Sequence, residues 1–170
     1  MQIFRGTPRP SQRVPCALTV GNFDGVHRGH QALLARVESA ARARGLASAV
    51  MTFEPHPREF FAPQAAPMRI SNLRDKLEAL RAAGLDRVFI QHFNRRFAQL
   101  GATDFVERVL LEGCDVRWLL VGDDFRFGAR RAGTYAMLDQ AGDAAGFDVA
   151  RMMSYEVHGL RVSSSAVRDA

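Results

Sequence analysis

Lysine is nearly missing from this chain: Lys76 is the single one, and arginine supplies the rest of the 23 basic residues. Set against 18 acidic residues, they leave a formal net charge of +5 over 170 residues. The arginines are scattered (Arg42, Arg44, Arg58, Arg74, Arg81, Arg87), and adjacent pairs occur only at Arg95-Arg96 and Arg130-Arg131. No basic stripe interleaved with aromatics exists, so the charge suits small anionic molecules and argues against nucleic acid as a partner. Cysteine is scarce too. Cys16 and Cys114 lie far apart, in no metal-like spacing and each beside an apolar run, and they read as reduced, buried structural thiols of a cytoplasmic protein. Long apolar runs are lacking as well: charges break each candidate within about ten residues, too short to span a bilayer. The segment Met1-Gln2-Ile3-Phe4-Arg5-Gly6 has no apolar stretch behind its basic residue, which predicts no secretory signal.

What is present predicts one domain, or one with a small appendage. Apolar residues make up 47% and charged residues 24%, ordinary proportions for a chain able to bury a core. Residues 5–15, with Pro8, Pro10 and Pro15, read as an extended lead-in, and residues 16–22 as a buried first strand. Leu33, Leu34, Val37, Ala40 and Ala41 predict a helix over 31–44 closed by Gly45. Residues 46–53 form a second strand, apolar throughout, as parallel strands covered on both faces are. Between 54 and 67, Pro55, Pro57, Pro63 and Pro67 argue against any regular element. The adjacent Phe60 and Phe61 there suit either a loop packed on the core or a flap closing over a planar ligand. Ser71 opens a helix over 72–83 (Leu73, Leu77, Leu80), with Gly84 at its end, and residues 86–91 form a third strand. Thr103 caps a helix over 104–112 stopped by Gly113. A fourth strand over 116–122, a loop over 123–133, a helix over 134–145 and a fifth strand over 147–153 follow. A tail over 155–162 turns at Gly159 and leads to Ser163-Ser164-Ser165, which open a last helical turn.

This alternation, without repeats, predicts an α/β domain: a doubly wound, Rossmann-like parallel sheet of about five strands with helices on both faces. Ligands in such folds sit beyond the carboxyl ends of the strands. The loops after the first, second and fourth strands, together with the serine run, converge there.

The chemistry is expected at Gly21-Asn22-Phe23-Asp24-Gly25-Val26-His27-Arg28-Gly29-His30. Its glycines allow backbone to approach a ligand, and a helix N-terminus beyond it offers free N–H groups and partial positive charge, a polyphosphate site. The stretch matches neither the P-loop nor G-x-G-x-x-G. Asp24 can hold the loop through backbone N–H groups, while His27 and His30 can each donate to a phosphate oxygen. Metal ligation by the pair alone would be incomplete, since His56, His92 and His158 lie far off and no supporting Cys/His/Glu spacing exists.

Those ten residues resemble the G-x-F-D-G-x-H-x-G-H signature of bacterial FAD synthetases, within the H-x-G-H nucleotidylyltransferase superfamily. Three further blocks match in order. Thr52-Phe53-Glu54-Pro55-His56-Pro57 resembles T-F-x-P-H-P, Gly122-Asp123-Asp124-Phe125-Arg126-Phe127-Gly128 resembles G-x-D/N-F-x-F-G, and Val162-Ser163-Ser164-Ser165-Ala166-Val167-Arg168 resembles I-S-S-T-x-I-R. Together they run from residue 21 to residue 168.

The resemblance implies an FMN adenylyltransferase: ATP and FMN give FAD and pyrophosphate, with magnesium held mainly by ATP phosphates. It implies His27, His30 and Arg168 as catalytic residues. It implies an ATP site of Gly21, Asn22, Phe23, Asp24, Gly25, His27, His30, Ser163, Ser164 and Arg168. For the flavin it implies Pro57, Phe61, Phe125 and Phe127, with Asp124 bonding a ribityl hydroxyl or ring edge, or else shaping its own loop. Phe53 reads as core. Ser165 stands where the family has threonine and keeps the hydroxyl. Family members continue into a riboflavin kinase domain that this chain does not encode, so kinase activity is not expected. The alternatives are a related nucleotidylyltransferase with another phosphate acceptor, and a flavin- and ATP-binding module without turnover.

Overall fold

The computed structural model describes residues 1–66, 68–152, 156–157 and 160–161. Its frame is one sheet of six parallel strands: β1 (Gln2–Arg5), β2 (Cys16–Val20), β3 (Ala47–Glu54), β4 (Arg87–His92), β5 (Val116–Gly122) and β6 (Asp148–Met152). Their order across the sheet is β1-β4-β3-β2-β5-β6. β1 adds a strand to the five expected, pairing Gln2 with Arg87 and Phe4 with Phe89 at the edge. A short hairpin, β7 (Glu156–Val157) and β8 (Leu160–Arg161), follows the sheet.

Side chains alternate across each strand, and both faces are covered. On one face Ala17, Val50, Val88 and Leu120 meet α1 (Arg28–Arg44) and α3 (Leu73–Ala82). On the other, Leu18, Met51, Phe89 and Leu119 meet α5 (Ala102–Asp104), its π-helical continuation Phe105–Gly113, and α6 (Tyr135–Ala145). Cys16 and Cys114 are buried free thiols at the base of this second core, and Cys16 Sγ donates to the Cys114 carbonyl at 3.2 Å. Burial pushes the Cys16 thiol up to about 12, which keeps it protonated. Among the described residues no helix is long and apolar enough to cross a membrane.

Several boundaries differ from expectation for local reasons. α1 starts at Arg28, with His27 as its cap, rather than at Gln31. The proline-rich segment does hold a regular element, α2 (Pro57–Phe61). Proline is tolerated there because a first-turn residue needs no N–H partner. Asn72, not Ser71, caps α3, its Oδ1 accepting from the Asp75 N–H at 2.8 Å. Thr103 lies inside α5 and does not cap it: the Phe105 N–H already donates to the Gly101 carbonyl, so the first turn begins at Gly101. A further short helix, α4 (Arg95–Ala98), follows β4.

The connections from β2 through β3 and β4 run one way across the sheet, and that from β5 to β6 runs the other. The reversal leaves a crevice beyond the carboxyl ends of β2 and β5, where open α/β sheets bind ligands.

Candidate active site

The turn from β2 into α1 lies at that crevice and is braced from three sides. Phe23 is buried and takes a left-handed φ of 51°, with its ring packed over Gly21, where a Cβ would come within 3.0 Å of it. Gly25 has a φ of 76°, and a Cβ there would meet Ile70 at 2.5 Å, so only glycine fits. Asp24 is buried, and its carboxylate accepts from the backbone N–H groups of Ile70 at 2.9 Å and Ser71 at 3.1 Å. Ser71 Oγ in turn accepts from the Gly25 N–H at 3.2 Å. Asp24 does hold backbone N–H groups as expected, but they belong to a segment far along the chain.

His27 and His30 cap α1 reciprocally. The His30 N–H donates to His27 Nδ1 at 3.2 Å and the His27 N–H donates to His30 Nδ1 at 3.3 Å. The imidazoles stack with centroids 3.7 Å apart and planes at 15°. Because each Nδ1 accepts, each ring carries its proton on Nε2. Burial holds His30 down to about 3, helped by His27 and Lys76 and opposed by Asp24. Burial lowers His27 as well. Near neutral pH both are uncharged Nε2–H donors. An Nδ1 used as a backbone acceptor is not offered to a metal, and among the described residues no group of three or more His, Cys, Asp or Glu could hold one.

Beside this turn the strand ends carry polar groups that sequence reasoning passed over. Thr52 Oγ1 donates to the Asn22 carbonyl at 3.1 Å, and Lys76 Nζ donates to Thr52 Oγ1 at 3.3 Å. Lys76 is buried despite its charge. A lysine inside the apolar register of Leu73, Leu77 and Leu80 is the sequence signal that would have found it. Arg69 also went unremarked. It pairs with Glu54 at 2.5 Å and with both carboxylate oxygens of Glu59, fastening α2 to the end of β3.

The expected flavin residues fall on two segments. Pro57 opens α2, and Phe61 at its end is 67% exposed, its ring against Phe60 and Phe93. On the loop after β5, Phe125 is half-buried and stacks on Phe127 at 5.8 Å and 18°. Phe127 is itself buried, with Phe105 on one side and Gly133 so close that a Cβ there would lie 2.5 Å from the ring. Phe127 therefore presents its neighbour's face more than its own. Phe93 and Phe97, also not anticipated, link the two segments into one aromatic series through Phe105. Asp124 is exposed at the turn after β5. Ser163, Ser164 and Arg168 lie outside the described residues.

The strand order and the loop at its reversal define the class: a Rossmann-like α/β domain of nucleotidylyltransferase topology. A structure from Streptococcus pneumoniae described as a macrolide-efflux protein shares this fold, with a TM-score of 0.78 over 99% of this chain and 56% of that one, at 23% identity. The model of the FAD synthetase family matches residues 9–166, and the chain belongs to that family. It is 46% identical over 172 residues to the bifunctional riboflavin kinase/FMN adenylyltransferase of Escherichia coli (strain K12), and 48% identical to that of Pseudomonas fluorescens. The Haemophilus influenzae protein of the same name is 42% identical over 171 residues. All of this chain is covered in these matches but only 55–56% of each relative, so it spans about half their length.

Proposed function

We propose that residues 1–170 are an FMN adenylyltransferase domain that transfers AMP from ATP to FMN, giving FAD and pyrophosphate. The observation that carries this reading is the reciprocal cap of His27 and His30, which aligns two neutral Nε2–H donors at a helix N-terminus beside the sheet's reversal. An oxygen of the FMN phosphate attacks the α-phosphorus of ATP in line. The bond from that phosphorus to the bridging oxygen breaks, and pyrophosphate leaves with the electron pair. No covalent intermediate with the protein is needed, so catalysis consists of alignment and stabilisation of charge on the phosphates.

His27 and His30 donate to phosphate oxygens, and Gly21, Asn22, Phe23, Asp24 and Gly25 shape the loop around them. From the motif they match, Ser163, Ser164 and Arg168 are assigned to the ATP phosphates, with the guanidinium of Arg168 as the group that would hold the departing pyrophosphate. Pro57, Phe61 and Phe125, backed by Phe127, receive the isoalloxazine ring, and Asp124 bonds the ribityl chain or ring edge. The carboxylate of Asp24 is engaged by backbone N–H groups and Arg69 binds Glu54 and Glu59. This donor set fits magnesium that arrives on ATP, held by phosphate oxygens and water, where it would neutralise charge between the phosphates. The two buried free thiols suit a cytoplasmic location.

Incubating the chain with ATP, magnesium and FMN and separating the flavins by chromatography tests the assignment. FAD should accumulate with time. A well-folded sample that makes no FAD and binds no FMN overturns the reading.

A further inference from the structure

The chain's single lysine is 4% exposed, on a helix face otherwise apolar. An apolar residue would pack there without stripping an ammonium of water, so the charge needs a reason. An ammonium has three N–H donors. Among the described residues its one hydrogen-bond partner is the Thr52 hydroxyl, and none of the ion pairs includes it. Burial disfavours its charged form, as does Arg69, while the carboxylates of Glu54, Asp24 and Glu59 favour it. Thr52 passes the contact on to the carbonyl of Asn22, the second residue beyond β2 in the phosphate turn. Two acceptors at the same strand ends, Asn22 Oδ1 and Glu54 Oε2, are buried without a donor. A purely structural polar network is normally satisfied within itself, and this one is not. The two histidines of the turn are neutral, so they bring hydrogen bonds and no charge.

We propose that Lys76 is a positioning residue of the phosphate site: through Thr52 it fixes the Asn22 carbonyl, and it sets an ammonium behind the turn against which polyphosphate binds. The inference rests on the nucleotide reading of that turn. It explains why a cation is kept in an apolar register. Among the groups that face His30, Lys76 joins His27 in disfavouring the imidazolium, against Asp24. The same charge thus attracts phosphate and keeps the donor in its useful form.

The sole lysine makes a selective test available. Chain grown with 13Cε,15Nζ-lysine gives one side-chain signal, which should shift and saturate as inorganic pyrophosphate is added with magnesium. Lys76→Met should keep or raise the thermal midpoint and weaken pyrophosphate binding at least tenfold. It should raise the KM for ATP more than it lowers kcat, and Lys76→Arg should return the affinity to within about threefold of wild type. A motionless lysine signal in chain that binds pyrophosphate overturns the inference and leaves the nucleotide reading intact. So does folded Lys76→Met with wild-type affinity. If Lys76→Met does not fold, the wild-type lysine signal and Thr52→Val decide, the latter expected to lose affinity several-fold. Wild-type chain that binds neither pyrophosphate nor ATP overturns the nucleotide reading itself.

Discussion

The turn proposed to hold phosphate and the aromatic rim proposed to hold the flavin are built by opposite rules. In the turn nearly every group is engaged inward: Asp24 on two N–H groups, each histidine on the other's backbone, Gly25 against Ile70. Along the rim, Phe61 stands 67% exposed on a helix of five residues, held by Arg69 at its base. Phosphate chemistry depends on donors placed before the substrate arrives, because reorganisation at the moment of reaction would forfeit their benefit. A planar ring asks less. It needs apolar surface and tolerates small displacements, so exposed aromatics on a short element suffice.

The sharpest way to break the contrast is to remove a donor while keeping its cap. Asparagine is a good N-cap residue, so His27→Asn retains the bond to the His30 N–H and loses the Nε2 donor. The thermal midpoint should move by no more than the equivalent of about 1 kcal/mol. Steady-state kinetics should show kcat lower by about two orders of magnitude, the loss typical of one preorganised donor. Equal losses of stability and rate would mean the histidine pair is a cap and nothing more.

Acid should loosen the turn before the rim. The ordinary histidine value is 6.5, and burial holds His30 at about 3 in the fold. The unfolded chain therefore takes up a proton below pH 6.5 that the folded chain refuses. The contribution of neutral His30 is complete above pH 6.5 and is lost progressively as pH falls toward 3, and His27 acts in the same direction. Denaturant midpoints measured between pH 7.5 and 5, above the range of the carboxylates, should fall with pH in wild type. The fall should be smaller in a His27→Asn, His30→Asn double variant. Equal slopes in the two proteins would remove the histidines from the explanation.

The same division governs what could be read from the sequence. Strand and helix alternation, the doubly wound class and the position of the turn were legible because apolar periodicity reports burial directly. β1 was not: its four residues are short and mostly exposed, and the partner strand that makes them a strand lies more than eighty residues away. The cap of α1 was missed because histidine is not a usual capping residue and Gly29 in the first turn weakens the helical pattern. Asp24 was identifiable as a brace, but Ile70 and Ser71 as its partners were not, since long-range pairing leaves no periodic trace. The burial of Phe127 was hidden similarly. Its motif places it beside Phe125, and only the approach of Gly133 shows that one ring supports the other.

The rim should yield the mildest and most selective effect. Phe61 touches Phe60 and Phe93 at its edges and leaves most of its surface to solvent, so Phe61→Ala removes little from the core. The thermal midpoint should hardly change. An aromatic contact to a ligand ring is worth about 1 kcal/mol beyond its buried area, so the KM for FMN should rise roughly three- to tenfold. The KM for ATP should stay where it is, because the braces of the turn run through Asp24, Ser71 and the histidines and none passes through α2's last residue. A parallel rise in both constants would show that the rim and the turn move as one unit, and the proposed separation of a preorganised phosphate half from an adaptable flavin half would fall.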